Sequence, residues 1–293
     1  MSGTSLQERL GASIFRLVAG PDGEAERRRI HGTPGPRWFP RDSAIARVHG
    51  DTSMFVGGLR ALMVQTLHPA AMTAVDQHSG FRGDLFGRLA RTSTFLATTT
   101  FAAEPDAERA VAVVRAVHES VRGTLADGTP YAASDPRLLA WVHVAEVESF
   151  LLAHQVFGRR PLDETGCDAY VAEAAVVARK LGVLDPPTSL AALHAELAAF
   201  RPELGAIPAA RSALAHLRHE APLAAPARPA YAALWSAAVS LVPRWARAEL
   251  GLPDRPLLDR TVHRALGRSA TAAIRWAMAP GRVATRAIEP ADY

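Results

Sequence analysis

The apolar residues of this chain recur with helical spacing along almost its whole length, and this periodicity is what most restricts the fold. No segment alternates apolar and polar residues as a half-buried strand does. Proline-rich and glycine-rich joints separate the periodic segments. We therefore predict an all-α, multi-helix bundle. The predicted helices are 4–19, 54–67 (capped by Thr52 and interrupted at Pro69), 85–101, 105–121, 137–157, 164–181, 189–200, 208–219, 229–249 and 256–277.

Length and composition suggest one helical domain that covers residues 1–293. Hydrophobic residues make up 48% of the 293, which is enough for a sizeable core. We expect that core over about 45–250. An N-terminal helix, a loop from Pro21 to about Pro40 and a C-terminal helical cap complete the prediction.

The cysteine content and the N-terminus favour a cytoplasmic protein. A lone Cys167 excludes an intramolecular disulfide and any multi-cysteine zinc site. Glu8 and Arg9 interrupt the place where a secretory peptide needs a continuous apolar stretch. No run of about 18 apolar residues occurs, so we expect no stable membrane insertion.

The charge pattern argues against a nucleic-acid partner. The net charge is +4 and the pI is near 9.8, values that a nucleic-acid-binding protein could show. However, Lys180 is the only lysine, and the arginines are scattered among acidic residues. Because a basic patch must cluster to track phosphates, we expect no nucleic acid as a partner.

Two segments of the central third carry residues suited to chemistry. Spacings of three and four place Arg88, Arg91 and Thr92 on one helical face, where they could bind an anion. The alternative is a pair of solvated arginines beside a threonine bonded to its own helix. His118 shares a mostly apolar stripe with Val111, and an imidazole in such a stripe can ligate a metal. The alternative is a core histidine whose hydrogen bonds are satisfied.

Spacing excludes several other chemistries. The sequence has no Glu-x-x-His pair for a di-iron site, no HExxH, no GxSxG and no CxxC. Both the GxGxxG and the GxxxxGK[ST] patterns are absent, so no nucleotide cradle is visible. An iron held by one histidine in an apolar helical pocket stays open, and haem needs only that protein ligand.

Six motifs in order resemble a known family, the bacterial latex-clearing proteins (rubber oxygenases) and the fungal oxygenase MpaB. The resemblance covers roughly residues 45–250. Each motif alone is weak, and six in register are fairly specific. The motifs are HP at 68–69, HSGFR at 78–82, GRLART at 87–92, His118…Val121-x-Gly123, G-x-x-Y-x-A-x-DP ending at Asp135-Pro136, and WVH at 141–143.

The resemblance implies a globin-like helical core that binds haem b, and cleavage of isoprenoid double bonds with O2. By the same resemblance His118 is the axial iron ligand. Arg88, Arg115 and Thr92 match residues near the haem, and His143 is a further candidate for cofactor binding. Arg91 stands where rubber oxygenases have a lysine, and a guanidinium is a very poor iron ligand.

The function predicted from these residues is that of a haem b-dependent oxygenase, either a dioxygenase or peroxidase-like. Its partners would be haem, O2 or peroxide, and a small apolar substrate of isoprenoid type. Arg91 and Thr92 would be catalytic, polarising the bound oxygen.

The alternative function is a haem-binding sensor or carrier without turnover. The stretch HPAAMTAV at 68–75 has no carboxylate where rubber oxygenases carry a glutamate base. A third alternative is a helical protein that has lost the cofactor, or a helical transcription regulator. A regulator should have an N-terminal helix-turn-helix, but the first fifty residues show only one good helix and a proline-rich loop.

Overall fold

The computed structural model describes residues 5–78, 80, 83–221 and 223–290, without the side chain of Phe86. It confirms the all-α prediction. The helices are α1 Leu6–Ala19, α2 Gly23–Gly32, α3 Ala44–His49, α4 Met54–Gln65, α5 Pro69–His78, α6 Leu85–Phe101, α7 Glu104–Ser120, α8 Pro136–Phe157, α9 Glu164–Leu181, α10 Leu190–Phe200, α11 Pro208–His219, α12 Arg228–Leu241, α13 Arg244–Leu250, α14 Pro256–Leu258, α15 Arg264–Ala277 and α16 Ala279–Ile288.

Helix starts follow the capping residues that the sequence indicates. The Asp84 carboxylate accepts the backbone N–H of Gly87 at 2.9 Å, so α6 begins directly after it. The Asp135 carboxylate does the same for Arg137 at 2.7 Å at the start of α8. Thr52 is a correction: its hydroxyl donates to the Thr271 carbonyl at 3.0 Å, and the N-cap position of α4 is Ser53.

The predicted loop from Pro21 to Pro40 is wrong over α2. Its glycines and prolines masked a charged helical segment with acidic residues in the first turn and basic residues in the last, the arrangement that the helix dipole favours. Two ion pairs at i,i+3 spacing support it, Glu24–Arg27 at 2.7 Å and Glu26–Arg29 at 2.6 Å.

Three further predictions need correction. The helix predicted over 229–249 is two helices, because Pro243 cannot donate the backbone hydrogen bond that would continue α12 into α13. The segment predicted as a loop between α7 and α8 contains an antiparallel hairpin of β1 Arg122–Thr124 and β2 Pro130–Ala132. The helix predicted over 256–277 includes a π-helical turn at Asp259–His263.

The core centres on α8, which packs along α4. Gly57 permits this approach, since a Cβ there would lie 2.8 Å from a ring carbon of Phe150. Beside it the buried Arg60 donates to the Leu241 carbonyl at 3.0 Å and to the Ser149 hydroxyl at 2.6 Å, and it pairs with Glu148. This guanidinium therefore ties α4, α8 and α12 together. Among the described residues, no helix combines the length and apolarity needed to cross a membrane.

The helices around the candidate site are joined by short connections. Only Ala102 and Ala103 separate α6 from α7, and the two helices pack as an antiparallel pair. The β-hairpin then leads from α7 to α8, and the Ala133 N–H donates to the Val121 carbonyl at 2.9 Å. The start of α6, the end of α7 and the start of α8 therefore lie at one end of the bundle.

Trp141 tests the packing of this core. Its side chain is 1% exposed, and its indole N–H donates to the Gln65 carbonyl at 3.2 Å. We expect Trp141→Ala to lower the free energy of unfolding by about 3–5 kcal/mol, because it leaves a cavity in the core.

Urea unfolding followed by circular dichroism measures this loss. Trp276→Ala is the control, since Trp276 is 53% exposed and its removal should cost less than about 0.5 kcal/mol. Equal losses for the two variants would contradict the packing described.

Candidate functional site

His118 lies within the last turn of α7 as a partly buried imidazole without a protein partner. Its Nδ1 atom is buried and makes no hydrogen bond to any described residue. Desolvation by burial lowers the pKa of His118, and the neighbouring Glu119 opposes this shift. The alternative of a satisfied core histidine therefore does not describe this ring. A neutral imidazole with an unused nitrogen is suited to ligate a metal.

Arg88 lies at the same end of the α6–α7 pair as His118. Each is within one turn of the helix terminus opposite the Ala102–Ala103 link, so the antiparallel packing places them at the same level of the pair. Burial lowers the pKa of Arg88, with Arg91 adding repulsion, and no described carboxylate pairs with its guanidinium. An enclosed cation without a counter-ion is a site that favours an anion.

The other predicted residues on these two helices lie at the surface. Arg91 is exposed and donates to the Asp84 carboxylate at 3.0 Å, and Thr92 is also exposed. Arg115 is exposed and lies 3.4 Å from the Lys180 carbonyl at the end of α9. The structure thus places Arg88 and His118 at the same end of the α6–α7 pair and directs Arg115 towards α9.

His143 lies deep in the protein on α8, seven residues after the helix begins. Its Nε2 atom is buried and has no hydrogen-bond partner among the described residues. Burial lowers the pKa of His143 to about 4, and the charge of Arg179 adds to this shift. The ring is therefore neutral at physiological pH.

Glu146, one turn after His143, is an acidic group that the sequence reasoning missed. Burial raises the pKa of its carboxyl group to about 7. Glu146 and His143 are surrounded by protein and keep only part of their surface accessible, and desolvation is the largest cause of the pKa shift of each. The pattern His143-x-x-Glu146 inside an apolar helix was the available signal, because it places both side chains on one buried face.

A chain of polar side chains leads from Glu146 across the core. The charge of Glu146 contributes to raising the pKa of the buried Tyr170, after burial itself, so the two groups interact. The Tyr170 hydroxyl lies 3.4 Å from His49 Nε2, and His49 Nδ1 lies 2.8 Å from the Thr100 hydroxyl. Hydrogen bonds thus join α9, α3 and α6, and Glu146 on α8 acts on the Tyr170 end of this chain through its charge.

Two further motifs, HP at 68–69 and HSGFR at 78–82, contact residues of other motifs. The rings of His68 and Trp141 lie with centroids 6.3 Å apart. His78 Nε2 lies 3.1 Å from the Tyr131 hydroxyl, which donates to the Gln77 side chain at 2.7 Å. Of the HSGFR motif, Ser79, Phe81 and Arg82 lie outside the described residues. Motifs separated along the chain are thus joined by contacts between α5, β2 and α8.

Comparison with known families identifies the chain. A family model described as "ER-bound oxygenase mpaB/B'/Rubber oxygenase, catalytic domain" matches residues 46–276. The chain belongs to this family. The match confirms the resemblance predicted from the motifs and extends it through α15. Neither the curated proteins nor the solved structures yielded a match to this chain.

Membership of the mpaB/rubber oxygenase family assigns an oxygenase catalytic domain to the residues that form the site. His118, Arg88, His143 and Glu146 all lie inside the matched segment. Within the described residues, no three His, Cys, Asp or Glu side chains cluster as metal ligands.

The raised pKa of Glu146 makes a prediction about stability. Because the folded-state pKa lies above the value of about 4.5 for the free carboxyl group, the unfolded state binds fewer protons between pH 4.5 and 7. The contribution of Glu146 to stability therefore falls as pH rises through this window. Glu146→Gln should relieve that loss, by up to about 3 kcal/mol at pH 8 relative to pH 5.

The measurement is the difference in unfolding free energy between the variant and the parent at both pH values, with haem-free protein. Taking the difference cancels the histidines that titrate in the same range. Glu164→Gln, at an exposed position on α9, is the matched control substitution. A Glu146→Gln difference that is equal at pH 5 and pH 8 would show that the carboxyl group is well solvated.

Proposed function

We propose that this member of the mpaB/rubber oxygenase family is a haem b-dependent oxygenase that acts on a small apolar substrate of isoprenoid type. The observation that carries the proposal is the partly buried imidazole of His118, whose buried Nδ1 has no partner among the described residues, at the same end of the α6–α7 pair as the unpaired guanidinium of Arg88. The family match supports the oxygenase class. The haem cofactor and the isoprenoid-type substrate are our proposal and go beyond the family match.

The residues fit a haem on two independent points. A haem iron needs one axial protein ligand, and His118 offers a neutral ring with a buried nitrogen that bonds nothing else. Haem carries two carboxylates, and Arg88 supplies an enclosed cation without a counter-ion. When bound, haem would supply the redox chemistry that activates the oxidant.

Glu146 would hold and move the proton that such a reaction needs. A carboxyl group whose pKa is about 7 is present in both protonation states near neutral pH, which suits a general acid and base. Tyr170 and His49 would connect it to Thr100 at the far end of α6. The hypothesis of a carrier without turnover rested on the lack of a carboxylate, and Glu146 weakens that reason.

Arg91 and Thr92 keep their predicted role, which is to polarise the oxidant. The pair between Arg91 and Asp84 lies at the surface, with 66% and 59% of the two side chains exposed. A pair so exposed contributes little stability, so Arg91 can leave Asp84 at small cost and turn towards a ligand. We also propose His143 as a neutral wall residue of the cofactor pocket.

Haem uptake tests the role of His118. The parent protein should bind one equivalent of hemin in an absorbance titration, and His118→Ala should bind less than a tenth of that while its circular dichroism stays helical. His118→Gly should regain uptake when imidazole is added, because free imidazole can replace the missing ligand. His194→Ala, at an exposed position on α10, is the control. Full uptake by His118→Ala would refute the axial assignment.

Oxygen consumption tests the role of Glu146. With reduced, haem-loaded protein and short polyprene hydrocarbons, Glu146→Gln should slow O2 uptake by roughly 100-fold at equal haem content, since an amide cannot transfer the proton. Unchanged turnover by this variant would remove Glu146 from the reaction. A parent protein that binds haem and consumes no O2 with any of these hydrocarbons would favour the carrier.

A further inference from the structure

Two adjoining cavities form a groove along α12, on residues to which no role has been given. The first has a volume of about 300 Å³ and the second about 340 Å³. Both are lined by Arg218, Trp235 and Ser236, so they form one continuous surface, which we call the α12 groove. The first cavity continues to Arg255 and His263, and the second to Arg228 and Tyr231.

The charged groups that line the α12 groove are all basic. Arg218, Arg228 and Arg255 line it together with His219 and His263, and neither cavity is lined by an Asp or a Glu. In the part of the chain that the structure describes, none of the three arginines forms an ion pair or a side-chain hydrogen bond. Three guanidiniums held around one groove without counter-ions create a positive potential that favours an anionic ligand.

A buried network fixes one basic side chain of the groove. His263 Nδ1 lies 2.7 Å from the Asp259 carboxylate, and Asp259 also pairs with Arg247. Both Asp259 and Arg247 are 5% exposed, and Arg247 donates to the Ser240 and Val242 carbonyls. The π-helical turn Asp259–His263 carries this histidine, and such turns are frequent at functional sites. The network holds Nδ1 of a histidine that lines the first cavity.

The floor of the α12 groove is apolar. Trp235 is 5% exposed and is shared by both cavities, and the Tyr231 ring lies with its centroid 6.4 Å from that of Trp235. The Tyr231 hydroxyl donates to the Leu217 carbonyl at 2.7 Å, so its polar end is already bonded and its ring is available for contact. Val239 and Leu252 extend the apolar surface of the first cavity.

We propose that the α12 groove binds an amphipathic anion, a molecule with one carboxylate or phosphate head group and an apolar body. The head group would be held by Arg218 and Arg255 with His263 beside them, because guanidiniums form paired hydrogen bonds to planar or tetrahedral oxyanions. The body would lie on Trp235 and Tyr231. This site uses no residue of α6 to α9, so it does not rest on haem binding at His118.

Binding of matched eight-carbon probes tests the proposal by isothermal titration calorimetry on the full chain. Octyl phosphate and octanoate carry both parts of the ligand, octanol lacks the charge, and inorganic phosphate lacks the apolar body. We expect the stronger of the two anions to bind at least tenfold more tightly than octanol and than inorganic phosphate. The better head group identifies the ligand class as phosphate or carboxylate.

Variants locate the binding. Arg218→Gln and Arg255→Gln should each weaken the better anion by roughly tenfold to a hundredfold, the loss expected for a charge-assisted hydrogen bond. Arg260→Gln is the matched control, since Arg260 is an exposed arginine of the same π-helical turn and does not line the groove. Circular dichroism checks that each variant is folded.

Three results would overturn the proposal. The first is octanol binding as tightly as the anions, and the second is equal affinity for inorganic phosphate and octyl phosphate. The third is an equal effect of the Arg218, Arg255 and Arg260 substitutions, which would show general attraction to a basic surface. The same titration with haem-loaded protein should give an unchanged affinity, whereas competition by haem would place haem in the α12 groove.

Discussion

Burying an imidazole without a hydrogen-bond partner costs free energy, and several histidines of this protein carry that cost. His118, His143 and His68 each have a buried ring nitrogen that no described residue satisfies. Buried polar groups in native proteins are almost always paired, so each exception requires an explanation. The explanation that we propose for His118 is an anionic ligand, because Arg88 at the same end of the α6–α7 pair has no counter-ion among the described residues.

Two buried side chains anchor α8 in the core. Arg60 bonds to groups on α8 and α12, and Trp141 is buried and bonded to the end of α4. These contacts fix α8, which carries His143 and Glu146 on the same buried side. The α6–α7 pair carries His118 and Arg88. The two units meet through the β-hairpin, whose Tyr131 also contacts the end of α5.

Local signals predicted most of the fold, since capping residues and apolar periodicity act over a few residues. Asp84 and Asp135 mark two helix starts in the sequence and in the structure. The prediction failed where one local rule concealed another. Residues 23–32 form the charged helix α2 although glycines and prolines flank them. Pro243 separates α12 from α13 although the apolar periodicity continues beyond it.

The candidate site was predicted only in part, because contacts between distant segments decide it. The motifs identified His118 and Arg88, and the helical pairing explains why both lie at the same end of the α6–α7 pair. Glu146 was not predicted, because the resemblance to rubber oxygenases points to a carboxylate in the stretch 68–75. Its link to Tyr170 and His49 depends on the packing of α8, α9 and α3, which no local pattern specifies.

The central claim is that haem is bound through His118. Diffraction from crystals of the haem-loaded protein, collected at the iron absorption edge, tests it most directly. The account predicts one strong anomalous peak next to the His118 imidazole, with a propionate against Arg88. An iron peak at His143, at His68 or in the α12 groove, with the His118 ring packed against protein alone, would contradict it.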